Sequence, residues 1–342
     1  MIINKILYRI SRSIREIYYS YLPDKEYLAT LEDNLVFGLS IEGCNICNAN
    51  CVFCAYQYQK RKKAIMPYEI FKKAIDEYNL LGGGNFGLYC TVGDPLMDPL
   101  ILDRIHYARQ LPNIISISTC TNCLKLHEIG VEKLLTSGLT AINISTTGFD
   151  LKIHNEIYRT NKAELMKDNL IKLLKTNKDR GNPCKINVGL RTYQSLKEVL
   201  NNPEFRQVAG LIDELSANYF FDDWSGRIKS ADLPKGMRLR PLSLSLMRRK
   251  NPCSLLYGAI SILSDGTATL CGCRDINGDS ELVLGNIKDS SLMELYRSPH
   301  AATIRKNWLN GSKVPEICQR CRLYNSLAFN LLKENRIKLN NS

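Results

Sequence analysis

The stretch LVFGLSIEGCNICNANCVFC (35–54) joins a short apolar run to four closely spaced cysteines. The run at 35–41 predicts a buried strand, and the cysteines follow it in a loop. Such a loop can place the thiolates of Cys47, Cys51 and Cys54 on three irons of a [4Fe–4S] cube, a cluster that normally has four thiolate ligands. The fourth iron then keeps an open position for a small ligand. Two alternatives are a cramped zinc site that also uses Cys44 and a set of structural thiols without metal.

The composition is that of a globular protein, with 342 residues of which 44% are hydrophobic and 23% charged. No apolar run approaches the ~18–20 residues that a membrane-spanning helix needs. Basic residues interrupt the first 21 positions, which lack the pattern of a signal peptide, so we expect a cytoplasmic protein. Because thiols stay reduced in the cytoplasm, the 13 cysteines are not expected to form a disulfide framework.

The net charge is +12, with basic clusters at 60–63, 238–240 and 248–250. Such a charge can attract nucleic acid, an anionic membrane surface or a phosphorylated substrate, and it can equally be a solvated face. No nucleic-acid-binding motif accompanies it, so nucleic acid is not expected as a partner. Residues 2–21 have the pattern of an amphipathic basic helix, which packs on its own domain or makes a peripheral membrane contact.

Apolar runs alternate with helical patterns from residue 35 to about 225, which predicts six parallel βα units. Polar residues follow every predicted strand, as at Val92–Pro95 after the second and Asp222–Asp223 after the sixth. In a barrel these ends converge on one face, whereas an open doubly wound sheet gathers ligands at one switch point. The pattern therefore favours an α/β fold with a partial (β/α)6 TIM-like barrel. The predicted strands are 35–41, 85–93, 114–122, 141–148, 185–192 and 217–224, and the predicted helices are 67–81, 98–111, 127–138 and 163–177.

The remainder of the chain reads as a smaller, cysteine-rich α+β domain. Residues 259–271 predict a hairpin with an Asp-Gly turn, and 291–309 predict a helix. Five cysteines belong to this part, and a hairpin with a distant CxxC can close around one metal centre, either a cube or a zinc ribbon. The predicted divisions are an N-terminal helical extension (1–34), the barrel (35–230), the cysteine-rich domain (231–322) and a C-terminal helix or tail (323–342).

The first cysteine loop resembles that of the radical S-adenosylmethionine (radical SAM) enzymes. Their C-x3-C-x2-C signature, with an aromatic residue before the last cysteine, corresponds to Cys47, Cys51, Phe53 and Cys54. Their Gly-Gly-Glu-Pro turn is represented by Val92-Gly93-Asp94-Pro95, in which Val and Asp replace Gly and Glu. Residues 142–159 look like the family's fourth strand and the helix after it. The resemblance implies SAM contacts at Phe53, Gly93, Asp94, Asn122, Ser145 and Arg159.

In this family the open iron binds SAM, and an electron from the reduced cluster releases a 5′-deoxyadenosyl radical that takes a hydrogen atom from the substrate. The resemblance therefore implies an electron donor such as flavodoxin or ferredoxin. It leaves Cys44 without an assigned role.

The second cysteine group is similar to a twitch domain, the shortened SPASM domain that holds one auxiliary [4Fe–4S] cluster. LGNI (284–287) and LMELYRS (292–298) contribute to the resemblance. The implied ligands are Cys253, Cys271, Cys318 and Cys321. The cysteine layout is closest to that of aminocyclitol and sugar dehydrogenases and epimerases.

Two reactions suit this layout on a sugar-like or aminocyclitol substrate. In a dehydrogenation, Arg191, Asp222 or Asp223 places the substrate hydroxyl or takes its proton. In an epimerisation, a thiol returns a hydrogen atom, and Cys273 is the candidate unless it is itself the cluster ligand in place of Cys271. The first 34 residues are too short for a peptide-binding domain, which favours a small substrate. A maturase of ribosomal peptides and a non-catalytic metal-binding scaffold remain as alternatives.

Overall fold

Residues 38–242, 252–272 and 274–325 are described by the structure, a computed structural model. The predicted helix at 2–21, most of the predicted tail helix (326–342) and Cys273 lie outside these residues. No helix of the described residues is both long and apolar enough to cross a membrane.

Six parallel strands lie side by side in the order in which they occur in the sequence. A doubly wound sheet reverses its strand order at a switch point, whereas a barrel adds each strand to the same side of the one before. The observed order therefore confirms the partial barrel. The strands are β1 (Gly38–Ile41), β2 (Gly84–Leu88), β3 (Ile114–Thr121), β4 (Ala141–Thr146), β5 (Lys185–Arg191) and β6 (Glu214–Asn218).

Helices connect these strands and continue into the C-terminal part. The predictions for 67–81, 98–111 and 163–177 are confirmed within a few residues. The α-helices are α1 (Tyr68–Leu80), α2 (Ile101–Gln110), α3 (Leu126–Ile129), α4 (Val131–Leu135), α5 (Leu151–Tyr158), α6 (Ala163–Asp179), α7 (Leu196–Asn201), α8 (Pro203–Ala209), α9 (Leu255–Gly258), α10 (Leu292–Tyr296), α11 (Pro299–Leu309) and α12 (Glu316–Gln319).

Two predicted helices are each divided in the structure. The helix predicted at 127–138 is α3 and α4, because Gly130 between them has φ of 88°, outside the helical region. The helix predicted at 291–309 is α10 and α11. Ser298 caps α11 through a bond from Ala301 N, and Pro299 occupies the first helical position, so the sequence starts a new helix there.

The sixth strand begins earlier than predicted. β6 covers Glu214–Asn218, and the aromatic residues that suggested 217–224 form β7 (Phe220–Phe221) instead. β7 pairs with β8 (Arg238–Leu239) in a separate two-stranded sheet. Because β6 is a polar strand at the edge of the barrel sheet, its sequence lacks the apolar run on which the prediction depended.

The predicted hairpin at 259–271 is present, but it extends the barrel sheet. Its strands are β9 (Ala259–Ile262) and β10 (Thr267–Thr269), and β11 (Val283–Asn286) pairs with β10. β9 runs parallel to β1, so the sheet order is β11-β10-β9-β1-β2-β3-β4-β5-β6. The cysteine-rich part is therefore joined to the barrel through backbone hydrogen bonds beside the first cysteine loop.

The barrel strands bury one face and leave the other partly open. On β4, Ile142, Ile144 and Thr146 are buried, and Thr146 contacts Met166 of α6. The alternate residues on the opposite face of β3, β4 and β5 are half-buried and mostly polar. This inner face is thus suited to contact a ligand, since a packed barrel would carry branched apolar residues there. Its members include Ser118, Cys120, Asn143, Ser145, Asn187 and Arg191.

Candidate active site

The cysteine loop follows β1 and is attached to the C-terminal end of α5. Asn50 N donates to the carbonyl oxygen of Tyr158 at 3.2 Å, and Val52 N donates to that of Ile157 at 2.9 Å. The helix end leaves carbonyl groups without partners in the helix, and the loop uses two of them. The backbone between Cys47 and Cys54 is therefore held in place at its centre.

The thiols of Cys47, Cys51 and Cys54 lie close enough to influence one another electrostatically. Burial, followed by the other two cysteines, raises the pKa of Cys51 well above its usual range. Burial raises the pKa of Cys47 to about 12 and that of Cys54 to about 11. Without a cation these thiols stay protonated, so binding of iron would release their protons.

Backbone amides that donate hydrogen bonds to the sulfurs lower the pKa values that burial raises. The N–H groups of Asn48 and Ala49 lower the pKa of Cys47, and those of Ala55 and Tyr56 lower the pKa of Cys54. Hydrogen bonds to the sulfurs are typical of iron–sulfur sites. No group of three His, Cys, Asp or Glu side chains in the described ranges is close enough to hold one metal ion. In a [4Fe–4S] cube each thiolate binds a different iron, so the sulfurs need not converge on one metal ion. Three thiols on one loop, each near backbone amides, therefore fit a cluster better than a single ion.

Cys44 is set apart from these three thiols. Cys44 forms an isolated antiparallel β-bridge with Ile65, and its side chain is fully buried. Its Sγ lies 3.5 Å from the carbonyl oxygen of Asp94. The thiol of Cys90 donates in turn to the carbonyl oxygen of Cys44 at 2.9 Å. Cys44 therefore joins the cysteine loop to the segment after β2, and the thiol has a partner of its own.

Phe53 connects the cysteine loop with the segment after β6. Its ring stacks on Phe221 at a centroid distance of 5.3 Å and meets Tyr158 edge-on at 5.6 Å. Its carbonyl oxygen accepts a bond of 3.0 Å from Nε1 of Trp224. The aromatic residue of the signature thus packs the loop against both the fourth and the sixth units of the barrel.

Gly93 allows the second loop to approach the first closely. Its φ is 150°, and a Cβ at this position would lie 3.0 Å from the carbonyl oxygen of Ile46 and 3.0 Å from Cβ of Cys90. Asp94 N donates to the same Ile46 oxygen at 2.8 Å. The two loops are therefore in direct backbone contact immediately before Cys47. A side chain on Gly93 would strain the backbone and push the two loops apart by a few tenths of an ångström.

Asp94 uses its carboxylate within the protein. Oδ1 accepts from Leu96 N at 2.9 Å, Oδ2 accepts from Asn122 N at 2.8 Å, and the Thr121 hydroxyl donates to both oxygens. Burial raises the pKa of Asp94, and these bonds oppose the rise. The carboxylate that was expected to contact SAM therefore joins the ends of β2 and β3.

Asn122 also contacts the cysteine loop, since its Nδ2 donates to Oδ1 of Asn48 at 2.8 Å. Ser145, on the inner face of β4, shares a hydrogen bond of 2.8 Å with the hydroxyl of Tyr158. The Tyr158 ring lies near Cys51, whose charge contributes to raising the pKa of Tyr158. Asn122 and Ser145 therefore flank the cysteine loop from two neighbouring strands.

Arg159 lies outside this arrangement. It is exposed, ends α5 with a left-handed φ of 47°, and donates from Nη1 to Oε1 of Gln57 at 3.1 Å. The structure places it on the surface beyond the cysteine loop.

Arg191 is the charged residue at the inner end of β5. Burial raises the pKa of Cys120 to about 11, and the charge of Arg191 opposes this rise, so the two side chains are near neighbours. Deeper in the barrel, Asn187 donates to Asn143 at 3.2 Å, and Tyr89 donates to the Ser118 hydroxyl at 2.7 Å. A guanidinium above a layer of amides and hydroxyls can bind a polar ligand.

The four predicted auxiliary ligands surround one cavity of about 230 Å³. Cys253 precedes α9, Cys271 follows β10, Cys318 lies in α12, and Cys321 follows the end of that helix. Apolar residues such as Trp308 complete the wall. This set of donors fits a second four-iron cluster, which needs four thiolates in a protected pocket. Cys273 lies outside the described residues, so its alternative role as a ligand stays a prediction.

A larger cavity of about 350 Å³ adjoins the first and shares Cys271 and Arg274 with it. It extends to Tyr89 and Thr91 after β2 and to Trp224 after β6. Its wall is largely apolar with a few polar groups, as is common for small-molecule sites. The cavity therefore lies between the segments that follow β2 and β6 on one side and the predicted auxiliary ligand Cys271 on the other.

Cys90, one of the four cysteines outside the two groups, also lines this larger cavity. Burial raises its pKa well above the usual range. Of the other three cysteines outside the two groups, Cys120 is half-buried on the inner face, whereas Cys123 and Cys184 are buried.

Asp222 and Asp223 are both buried and each forms an ion pair. Oδ2 of Asp222 lies 2.9 Å from Nε of Arg274, and Oδ2 of Asp223 lies 2.7 Å from Nε of Arg322. Burial raises the pKa of Asp222, and Arg274 opposes the rise. These carboxylates are thus engaged with arginines that follow the auxiliary cysteines.

Sequence reasoning missed the buried pair between Glu42 and Arg61. The two guanidinium nitrogens of Arg61 donate to the two carboxylate oxygens at 2.6 and 3.0 Å, and Glu42 also accepts from the amides of Thr91 and Ser264. Arg61 belongs to the basic cluster at 60–63, for which an anionic partner and a solvated face were both open. The position of Glu42 directly after β1 was the available signal, because carboxylates at strand ends meet the loops of neighbouring units.

Two segments of the chain match known sequence families. Residues 41–201 match the radical SAM superfamily, and residues 253–322 match the SPASM family, described as an iron–sulfur cluster-binding domain. The chain contains a radical SAM domain followed by a SPASM/twitch iron–sulfur domain. The sequence prediction of a radical SAM enzyme with a second iron–sulfur domain is thereby confirmed. A search of curated proteins found no match.

Solved structures with this radical SAM fold include BtrN in complex with AdoMet and 2-DOIA. That match has a TM-score of 0.56 at 14% identity, covering 85% of this chain and 94% of BtrN. Streptococcus suis SuiB bound to the precursor peptide SuiA has a TM-score of 0.61 at 19% identity, covering 90% of this chain and 76% of SuiB. Native anSMEcpe with bound AdoMet and the Cp18Cys peptide has a TM-score of 0.54 at 18% identity, covering 84% and 87% of the two chains. At these identities the matches establish the fold.

The cofactors of this radical SAM enzyme follow from its two domains. They imply a [4Fe–4S] cluster with SAM in the barrel and an auxiliary cluster in the SPASM/twitch part. The loop at 47–54 and the cavity lined by four cysteines are suited to hold them. The individual ligand and SAM-contact residues stay predictions at this point.

Proposed function

We propose that this radical SAM enzyme oxidises a carbinol carbon of a sugar-like or aminocyclitol substrate. The observation that carries the proposal is the position of Cys271, which lines both the larger cavity and the cavity of the four auxiliary cysteines. A substrate in the larger cavity would therefore be next to the auxiliary site. Oxidation of an alcohol to a carbonyl removes a hydrogen atom, an electron and a proton. An auxiliary cluster next to the substrate would be suited to accept the electron.

The residues that would hold the first cluster are Cys47, Cys51 and Cys54, and those that would hold the auxiliary cluster are Cys253, Cys271, Cys318 and Cys321. When bound, the first cluster and SAM supply the oxidising equivalent that removes the hydrogen atom, and the auxiliary cluster supplies a one-electron acceptor. A flavodoxin or ferredoxin in the cytoplasm is the proposed electron donor to the first cluster.

The chain's own groups would bind and orient the substrate. Arg191 can donate to a hydroxyl from the end of β5, while Tyr89 and Thr91 present polar groups from the second unit. Trp224 also lines this cavity, and the Arg274 guanidinium lies over its ring at 4.7 Å from the centroid, so a sugar ring would pack on the indole beside that cation. Asn122 and Ser145, beside the cysteine loop, are the proposed contacts for SAM, with Asp94 acting through Asn122.

Epimerisation is the other outcome that the site allows, because a protonated thiol on the cavity wall can return a hydrogen atom. Cys273 remains proposed for this role. Cys90 is an additional candidate, since it lines the larger cavity and burial raises its pKa, so that the thiol is protonated at neutral pH. In D₂O a thiol donor would place deuterium at the epimerised carbon, whereas dehydrogenation would not.

The test is anaerobic incubation of the reconstituted enzyme with SAM, a reductant and a panel of aminocyclitols and sugars. We expect 5′-deoxyadenosine in step with a product two mass units lighter than the substrate. An Arg191→Gln variant should lose most substrate turnover but still cleave SAM slowly without substrate. Absence of 5′-deoxyadenosine under all conditions would favour a non-catalytic scaffold.

A peptide substrate is the second candidate. SuiB bound to a precursor peptide and anSMEcpe bound to a peptide share the fold, and the larger cavity is wide enough for one side chain. Turnover with peptides and none with any sugar would favour this candidate over the first.

A further inference from the structure

Asp222 and Asp223 connect one short barrel segment to both halves of the auxiliary ligand set. Arg274 follows Cys271 by three residues and lines the same cavity, and Arg322 directly follows Cys321. The ion pairs described above therefore attach the hairpin half through Arg274 and the CxxC half through Arg322.

All four side chains are largely removed from solvent. Their side-chain exposures are 5% and 6% for Arg274 and Asp222, and 16% and 3% for Arg322 and Asp223. In the described part of the chain, the second oxygen, Oδ1, of each aspartate is buried without a hydrogen-bond partner. A buried pair with an unsatisfied oxygen adds little net stability, because the cost of desolvation offsets the attraction. The effect of these pairs on the local charge therefore explains them better than a contribution to stability alone.

The charge of each arginine is important because it borders predicted cluster ligands. A cationic group near an iron–sulfur cluster favours the reduced state, which carries one more negative charge. Each aspartate neutralises one of these cations at a distance below 3 Å. The pairs therefore leave little net positive charge at Arg274, which lines the cluster cavity, or at Arg322, which adjoins Cys321 in the sequence.

We propose that Asp222 and Asp223 are positioning residues that set the reduction potential of the auxiliary cluster by neutralising Arg274 and Arg322. The proposal deepens the proposed function and rests on its auxiliary electron acceptor. It also replaces the expectation that either carboxylate acts as the catalytic base, since both are committed to arginines.

The test is an EPR-monitored redox titration of the full-length chain carrying Cys47/Cys51/Cys54→Ala, so that only the auxiliary cluster contributes. Asp222→Asn and Asp223→Asn should each raise the midpoint potential, with a tenfold change in the one-electron equilibrium corresponding to 59 mV. Arg274→Gln should shift it in the opposite direction, and the Asp222→Asn/Arg274→Gln double variant should return toward the parent. A purely structural role would not produce opposite signs.

The matched control is Asp98→Asn, which breaks another buried aspartate–arginine pair away from the auxiliary cysteines. Its Oδ2 lies 2.7 Å from Nε of Arg104, the same distance as in the Asp223–Arg322 pair. It should leave the auxiliary potential unchanged. Asp222→Glu keeps the charge and should keep the potential. Unchanged potentials in the two Asn variants with full iron content would overturn the proposal, as would equal loss of iron from the Asn and Glu variants.

The experiment needs neither SAM nor substrate, so its result does not depend on the reaction proposed above. An auxiliary cluster with the expected shifts but no turnover would count against the substrate class alone. A triple-cysteine variant without iron would count against the auxiliary cluster itself and so overturn both proposals.

Discussion

Substitution of Gly93 by alanine tests whether the second loop fixes the geometry of the cysteine loop. The backbone at Gly93 has φ of 150°, and the new Cβ would lie 3.0 Å from the carbonyl oxygen of Ile46 and 3.2 Å from Sγ of Cys90. A residue with a side chain in such a conformation costs roughly 1–3 kcal/mol. Overpacking against neighbouring atoms adds roughly 1–3 kcal/mol, so we expect Gly93→Ala to lower the unfolding free energy by about 2–6 kcal/mol.

The same substitution should disturb iron binding, because the Ile46 carbonyl group precedes Cys47. We expect the variant to lose iron from the first cluster while it keeps that of the auxiliary cluster. The assays are urea unfolding under anaerobic conditions and iron content after reconstitution.

Gly210→Ala is the matched control. Gly210 has φ of −69° and no atom within 4 Å of an added Cβ. Because alanine adopts this conformation without strain, the control should be neutral or stabilising by about 0.4–1 kcal/mol. If Gly93→Ala matched Gly210→Ala in stability and iron content, the close approach of the two loops would not constrain the cluster site.

Three further substitutions test single contacts. Glu42→Gln leaves the buried Arg61 cation without its charged partner; the side chains of Arg61 and Glu42 are 8% and 2% exposed. Urea unfolding should therefore show an unfolding free energy lower by about 3–5 kcal/mol. A decrease below about 1 kcal/mol would contradict this. Burial lowers the pKa of His154 to about 4, so the folded protein resists protonation there and loses stability as the pH falls from about 6.5 toward 4. His154→Gln should flatten that part of the stability curve, and an unchanged curve would contradict this account. Trp224→Phe removes the bond to the Phe53 carbonyl and should cost about 1 kcal/mol and weaken the SAM-induced change in the EPR signal; a wild-type response would show that this bond does not position the loop.

The barrel was accessible from the sequence because its signals are local. Buried parallel strands appear as apolar runs, and the helices between them have their own periodicity, so β3 to β5 and α1, α2 and α6 were found within a few residues of their observed bounds, whereas β2 ends five residues before its predicted end. The sixth strand was misplaced because an edge strand such as Glu214–Asn218 buries little and has no apolar run. The pairing of β9 with β1 was not predictable, because it joins residues more than 200 positions apart.

The site was only partly predictable for a similar reason. The cysteine spacing identified the metal-binding loop, since several thiols within a few residues have few other uses. The partners of Asp94, Asp222 and Asp223 depend on which polar groups the fold brings within 3 Å, and sequence order does not show this. As a result, carboxylates expected to face a ligand were found bonded to protein amides or to arginines.

The most direct test of the account is iron and sulfide content, with EPR, in the wild type and in variants of each cysteine group. Two four-iron clusters predict about eight iron per chain, falling to about four in Cys47/Cys51/Cys54→Ala and remaining near eight in Cys44→Ala. SAM should change the spectrum of the wild type and not that of the triple variant. Zinc in place of iron, or equal dependence on all four cysteines of residues 44–54, would contradict the assignment of a SAM-binding cluster to this loop.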